Sequence, residues 1–377
     1  MRESLRDRLK QVMAANNLDA MVTCSPENFA YVAGFVVPSQ ALLRHRHAMA
    51  IVTADGGLTL FCVDMEETTV HGSAPGVDVV VFSEFADDAI PTLAAALRDR
   101  GLGSARIGIE LGYLPAADFA KLGASLPGAH FTANDASFAR LRQIKDADEI
   151  ALIRRLSRIA DKAITDAFAA VHPGDTEMDI AGHLTRNVFE AGADDFKLLI
   201  VATGERSQLP NVGPTDRTLR HGDVCRVEVF PVIDGYHAGV CRTAVVGDTP
   251  DGAEEVWSVL TACKHDILAT IRPGASCRAI YDRFIATLKK HDLPPIGFVG
   301  HGIGLFLHED PYIGVTPVIG SDGDAELEAG MVLGFEPLCY RTRYGFGMQN
   351  KDVVAVTDEG AVLLSDYTNT DELIVVS

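Results

Sequence analysis

Apolar residues recur at helical spacing from Arg2 to Asn17, so the chain is expected to open on an amphipathic helix. A short apolar run, Asp19–Ser25, follows and ends in Ser-Pro. Two strand-like runs, His47–Thr53 and Leu58–Val63, flank Asp55-Gly56-Gly57, a strong turn signal. Val77–Phe82 and Ala105–Glu110 read as further strands, with a helix over Asp88–Arg100 between them. This alternation predicts a compact α/β domain over residues 1–145.

The pattern then changes. Leu141–Lys145 and Asp146–Glu149 form a charged connector into a long amphipathic helix, Ile150–Ala170. Pro173-Gly174-Asp175-Thr176-Glu177 closes that helix and caps the next, Asp179–Glu190. Strands are expected at Phe196–Thr203, Asp223–Val232 and Tyr236–Val246, the last two turning at Asp234-Gly235. Helices Ala253–Ile271 and Cys277–His291 come next, and strand-rich sequence runs from Gly330 to the end. No internal repeat or low-complexity segment is read. The second domain is placed at 146–377.

Composition narrows the classes. The 377 residues are 23% charged and 47% hydrophobic, an ordinary globular balance with enough chain for two cores. A net charge of −19 argues against a nucleic-acid partner, because phosphate contacts need a basic face. No apolar run reaches membrane-spanning length, and the N-terminus is a charged helix start, not a signal peptide. The seven cysteines are scattered and show no CxxC pairing, so a reducing, cytoplasmic setting is expected.

Candidate chemistry gathers in the second half. Period-two alternation puts His237, Gly239 and Cys241 on one face of a strand. If Asp234-Gly235 is a two-residue turn, Glu228 lies opposite Cys241. Further on stand His301-Gly302-Ile303-Gly304, His308-Glu309, Phe335-Glu336-Pro337 and the stretch from Gln349 to Thr357. Each has a structural alternative. Cys241 is either an activated thiolate or a small packing residue. His301 and His308 either serve a site or hold a loop, and the glycines beside His301 point to close backbone approach. Lys351 reads as a counter-ion for Glu228 and Glu336. His237 lines the pocket or packs. Arg44-His45-Arg46-His47 reads first as a solvated basic run.

These motifs, with Arg142, Lys145, Glu149, Pro173-Gly174, Gly222-Asp223, the Gly235–Thr243 hairpin and Gly330-Met331-Val332, stand in the order and spacing of one family. The chain resembles the creatinase, prolidase and methionine aminopeptidase ("pita-bread") proteins from about residue 145 onward. The resemblance implies an N-terminal α/β creatinase-type domain, a C-terminal pita-bread domain and a homodimer. In metal-dependent members two divalent ions sit between two aspartates, a histidine and two glutamates. Here the matching positions are Glu228, Gly239, His301, Glu336 and Lys351. Gly239 offers no ligand and Lys351 offers an ammonium, so no dinuclear site is expected. A single ion on Glu228, His301 and Glu336 is disfavoured.

The hairpin is closest to metal-free creatinase. Cys241 and Glu336 match its two glutamates, the loop histidine falls near Asn211, and a substrate-gripping arginine aligns near Tyr312. In creatinase-like dimers an N-terminal loop of the neighbour meets the substrate anion, a role this reading gives to Arg44 or Arg46. The expectation is therefore a metal-independent, cofactor-free hydrolase of a small amidine, amide or cyclic nitrogen compound. Cys241 would attack, His301 or His308 would move the proton, and Glu336 would hold a nitrogen group. Glu228, His237, Tyr312 and Lys351 would line the substrate. A lyase reaction stays open. The alternatives are an Xaa-Pro metallopeptidase and an inactive peptide- or ligand-binding protein.

Overall fold

A computed structural model describes residues 1–315 and 325–377. The chain divides into two units, Met1–Arg142 and Gln143–Ser377.

The first unit is α/β. Its strands are β1 (Ala20–Val22), β2 (Met49–Thr53), β3 (Leu58–Val63), β4 (Asp78–Phe82), β5 (Arg106–Ile109) and β6 (His130–Ala133). They form one mixed sheet in the order β4-β3-β2-β1-β5-β6. β2 and β3 are the expected antiparallel hairpin. Helices α1 (Glu3–Ala15), α2 (Pro26–Ala33), α3 (Pro38–Leu42), α4 (Glu67–Ser73), α5 (Ala89–Asp99), α6 (Ala116–Ser125) and α7 (Asp135–Gln143) complete it. The core joins Val22, Ile51, Phe61 and Ile107 of the sheet to Leu93, Leu97 and Leu122 of α5 and α6.

The second unit starts with α8 (Ala147–Ala169) and α9 (Glu177–Glu190). Reciprocal capping boxes open both, Asp146 with Glu149 and Thr176 with Asp179. Strands β7 (Asp195–Thr203), β8 (Val224–Ile233), β9 (Tyr236–His237), β10 (Val240–Val246) and a late strand form one sheet. Asp234 and Gly235 both have positive φ, +52° and +81°, so the hairpin turn has two residues. The expected Tyr236–Val246 strand is interrupted at Ala238-Gly239. Helices α10 (Ala253–Leu268) and α11 (Cys277–Lys290) lead to the other sheet. Its strands are β11 (Phe298–Gly302), β12 (Glu309–Gly314), β13 (Val332–Phe335), β16 (Asp352–Thr357) and β17 (Gly360–Leu363), in the order β12-β11-β13-β16-β17. The short pair β14 (Leu338–Cys339) and β15 (Met348–Gln349) stands apart, and β18 (Ile374–Val376) pairs with β10. No helix among the described residues is long and apolar enough to cross a membrane.

No repeat is legible in the sequence, but the backbone of the second unit shows one. Gly174, at φ +103°, donates its amide to Leu219 O, and Leu219 donates to Asp175 O. One hundred positions later Gly274, at φ +82°, donates to Leu327 O, and Leu327 donates to Ala275 O. Each glycine opens a capped helix, α9 or α11, after a long helix has ended. The repeat is carried by backbone bonds that few side chains record. Each half has its own core: Ile153, Leu156, Leu184 and Val227 in one, Leu260, Phe284, Val299 and Leu333 in the other.

Candidate functional site

The hairpin sets one wall of the site. β10 pairs with β8 so that Cys241 faces Glu228, as the two-residue turn requires. Extending that register puts Gly239 across from Phe230 and His237 across from Val232. A Cβ built on Gly239 would lie 2.0 Å from Phe230 Cε1, far inside van der Waals contact. The Phe230 ring therefore takes the volume that a side chain at 239 would need.

The second sheet brings the opposite wall. In β11 His301 lies between Tyr312 of β12 and Gly334 of β13. Gly334 has no side chain because a Cβ there would stand 3.2 Å from His301 Cε1 and 3.3 Å from Lys351 Cε. The close approach foreseen at Gly302 and Gly304 is to the protein itself. Gly302 abuts the backbone of Asp310, and Gly304 abuts the Lys145–Glu309 pair. That pair is buried at 2.7 Å, and Glu309 also accepts from the amides of Leu305 and Phe306. It fixes the loop that carries His308.

Lys351 reaches the centre from the chain just before β16. Arg242 donates to Lys351 O at 2.7 Å and pairs with Asp161 and Asp352, while Thr243 and Gln349 exchange two hydrogen bonds. The Arg242-Thr243 dipeptide thus clamps this segment to β10. Lys351 Nζ then lies 2.9 Å from Glu228 Oε1, 3.5 Å from Glu336 Oε2 and 4.6 Å from the Phe230 ring centroid. Burial alone would lower its pKa, but Glu228 and Glu336 outweigh that and hold it above the ordinary lysine value. This is the counter-ion arrangement expected for Lys351.

Glu336 is the most heavily held carboxylate of the site. Gln349 Nε2 donates to it at 2.7 Å, and His301 Nε2 lies 3.3 Å from its other oxygen. Gln349 in turn accepts from Arg226 at 3.2 Å and from Tyr340 at 3.0 Å. Arg226 also holds the carbonyls of Leu209 and Pro210, in the loop where the creatinase histidine is missing. Burial opposes the Glu336 charge, but Lys351 and His301 prevail and pull its pKa below the usual carboxylate range. Sequence reasoning missed Phe230, Gln349 and Arg226. The pairing register places Phe230 beside Gly239, but no sequence pattern announces the Gln349 contact.

The His301 and His308 rings stack at 3.8 Å with 17° between planes. His301 Nδ1–H donates to Gly302 O at 2.8 Å, which turns Nε2 toward Glu336, where it is a donor only when the ring carries both protons. His308 keeps an exposed edge. Partial burial, then the neighbouring His301 and Lys351, push its pKa down to about 3, so it is neutral at pH 7. Tyr312 is half-buried beside it, its phenol pushed up by burial and by Glu336. His237 is fully buried, held to about 4 by burial and by Lys197. The structure thus brings Glu228, His237, Cys241, His301, His308, Tyr312, Glu336 and Lys351 together. Arg44 and Arg46 lie in the first unit, where Arg46 makes a two-bond pair with Glu84 and Arg44 is exposed.

Two divalent ions do not fit these side chains. The Lys351 ammonium stands between Glu228 and Glu336, Gly239 supplies no ligand, and Phe230 closes the space beside it. Among the described residues no group of three or more His, Cys, Asp or Glu is set to hold a metal.

Comparison with known proteins places the chain. Residues 151–358 match Metallopeptidase family M24, and residues 6–144 match the Creatinase/Prolidase N-terminal domain. The Xaa-Pro dipeptidase of Lactobacillus helveticus is 27% identical over 373 residues, covering 97% of each chain. The probable dipeptidase PepE of Mycobacterium tuberculosis (strain H37Rv) is 31% identical over 240 residues, 63% of this chain and 62% of its own. The crystal structure of a prolidase from Thermococcus sibiricus superposes with a TM-score of 0.86 at 24% identity, covering 100% of this chain and 99% of that one. At that identity the likeness bears on the fold alone.

These relatives overturn the expectation of a metal-independent, creatinase-like hydrolase of non-peptide C–N bonds. They are named as peptidases, and the family is a metallopeptidase family. The Cys241 nucleophile falls with it on physical grounds. The thiol is 0% exposed, and burial together with Glu228 drives its pKa well up, more than Lys351 and Arg226 pull it down. Cys241 is a packing residue opposite Glu228. With the creatinase-type domain ahead of the pita-bread domain, the chain belongs to metallopeptidase family M24.

Proposed function

We propose that this protein acts on short peptides of the Xaa-Pro kind, cleaving the peptide C–N bond as a dipeptidase. The observation that carries the reading is the end-to-end likeness to an Xaa-Pro dipeptidase, with His301, His308 and Glu336 converging in one site. His308 presents a neutral imidazole at an exposed edge, suited to exchanging a proton with a bound peptide or water. Tyr312 stands beside it as a hydroxyl contact. Glu336, fixed by Gln349, is the inner carboxylate. Glu228 and Lys351 form the charged back of the pocket. No step is routed through a metal ion, because the residues present do not fit one.

A homodimer in which Arg44 or Arg46 meets the neighbour's substrate, and a cytoplasmic setting, complete the proposal. Seven free, buried cysteines support the reducing compartment.

One feature favours a second reading, peptide binding without turnover. A buried ammonium at 351 takes the place of a carboxylate in the site. One experiment separates the two. Release of proline from Gly-Pro, Ala-Pro and Leu-Pro is followed by mass spectrometry with manganese and with EDTA, beside calorimetric titration of the same peptides. Proline release supports the dipeptidase. Binding without release supports the second reading. Neither binding nor release with any of the three refutes both.

A further inference from the structure

His237 carries a buried imidazole that the protein itself does not use. The side chain is 0% exposed, and neither Nδ1 nor Nε2 makes a well-formed hydrogen bond among the described residues; the Gly235 backbone is its one polar neighbour near enough to favour the protonated ring, and burial outweighs it. Its backbone is anchored, with the amide donating to Gly304 O at 2.9 Å and the strand paired to Val232. The ring is therefore held in place by the fold. It shares the face of Gly239 and Cys241, and its centroid is 6.3 Å from the Phe230 ring. It stands on the wall that meets His301 and Lys351.

Taking both nitrogens of an imidazole out of water with at most one poorly formed contact, to the Gly235 backbone, is unfavourable, and an apolar ring would fill the same space without that penalty. Native proteins resolve such groups with a ligand or an ordered water. The neutral ring offers one N–H donor and one lone pair. A prolyl dipeptide supplies acceptor oxygens on its carbonyl and its carboxylate.

We propose that His237 is a ligand-recognition residue whose ring donates to an acceptor oxygen of a short peptide bound between the hairpin and His301. The proposal rests on the peptide reading above. It adds a contact on the β9 wall, outside the His301, His308 and Glu336 set.

The test uses the full chain, with Gly-Pro as the probe and Gly-pyrrolidide as its carboxylate-free counterpart. His237→Phe keeps a ring and removes both nitrogens. We expect its Kd for Gly-Pro to weaken about tenfold, or roughly 1.4 kcal/mol. Its ligand-free melting temperature should hold or rise. His237→Gln, which keeps a donor and an acceptor, should recover part of the affinity. An equal loss with Gly-pyrrolidide assigns the bond to the carbonyl, and a loss confined to Gly-Pro assigns it to the carboxylate. Ring resonances of His237 in 15N-histidine spectra of the wild type should move on titration.

A His237→Phe protein with wild-type Kd and a lowered melting temperature would show a packing residue and overturn the proposal. Wild-type protein that binds neither peptide counts against the peptide reading instead. The same spectra are then taken with acetate and N-methylacetamide, and a His237 ring that moves with neither, as expected for one satisfied by water alone, overturns the recognition role as well.

Discussion

Replacing Lys351 by methionine removes a charge while keeping most of the side chain's length. The ammonium is 2% exposed and lies 2.9 Å from Glu228 and 3.5 Å from Glu336. Removing one partner of a buried ion pair costs about 3–5 kcal/mol, because the remaining charge stays desolvated. The contact with the Phe230 face adds about 1 kcal/mol. Glu336 keeps Gln349 at 2.7 Å and His301 at 3.3 Å, so the damage falls mainly on Glu228. We therefore expect a loss near the lower end, about 3 kcal/mol. Glu228→Gln in the Lys351→Met background removes the stranded charge and should return about half of that loss. Urea unfolding followed by Trp257 fluorescence measures both. Trp257 is the single tryptophan and is buried in α10, so the signal reports the second unit and avoids mixing two transitions. A single variant within about 1 kcal/mol of wild type, or a double variant no more stable than the single, would refute the charge-pair account.

Iodoacetamide at neutral pH should leave Cys241 unlabelled in the folded protein over a time that fully labels the urea-unfolded chain; rapid native labelling there would contradict its burial. His237, held to about 4 against 6.5 when unfolded, stays neutral while the unfolded ring takes up a proton. Stability is therefore unaffected by this ring above pH 6.5, falls as pH drops toward about 4 and should lose about 3 kcal/mol over that range, a slope that His237→Phe removes; equal slopes in the two proteins would refute this. Lys145→Met leaves Glu309 buried without its ammonium and should cost about 3–5 kcal/mol, with faster amide exchange at Leu305 and Phe306; unchanged exchange there would count against the loop-fixing role. Gly239→Ala drives a methyl into Phe230 and should cost about 1–3 kcal/mol, but be neutral or stabilising in a Phe230→Ala background; additive effects would refute the shared volume.

Local pattern carried most of the fold. The positive-φ pair Asp234-Gly235 fixes a two-residue turn, and alternation then puts Cys241 opposite Glu228 with no further information. The start of α9 was legible at its cap near Thr176, whereas Asp146–Glu149, read as a connector, forms the cap and first turn of α8. The repeat was not, because Gly174 and Gly274 play one role through backbone bonds to Leu219 and Leu327. In the site, the substitutions at Gly239 and Lys351 could be read as the loss of a ligand and the arrival of a charge. What fills the vacated volume could not, since it depends on the rotamer of Phe230. The functional expectation failed for a related reason. A broken ligand set says what the site has lost, while the peptidase names come from similarity spread over the whole chain.

The fit of Phe230 over Gly239 makes the two positions interdependent. A side chain at 239 and the ring in its present orientation exclude each other sterically. Giving 239 a side chain therefore requires a smaller or displaced residue at 230, and removing the ring alone takes away the aromatic face that Lys351 rests on. Any redesign of this wall has to treat 230, 239 and 351 as one unit.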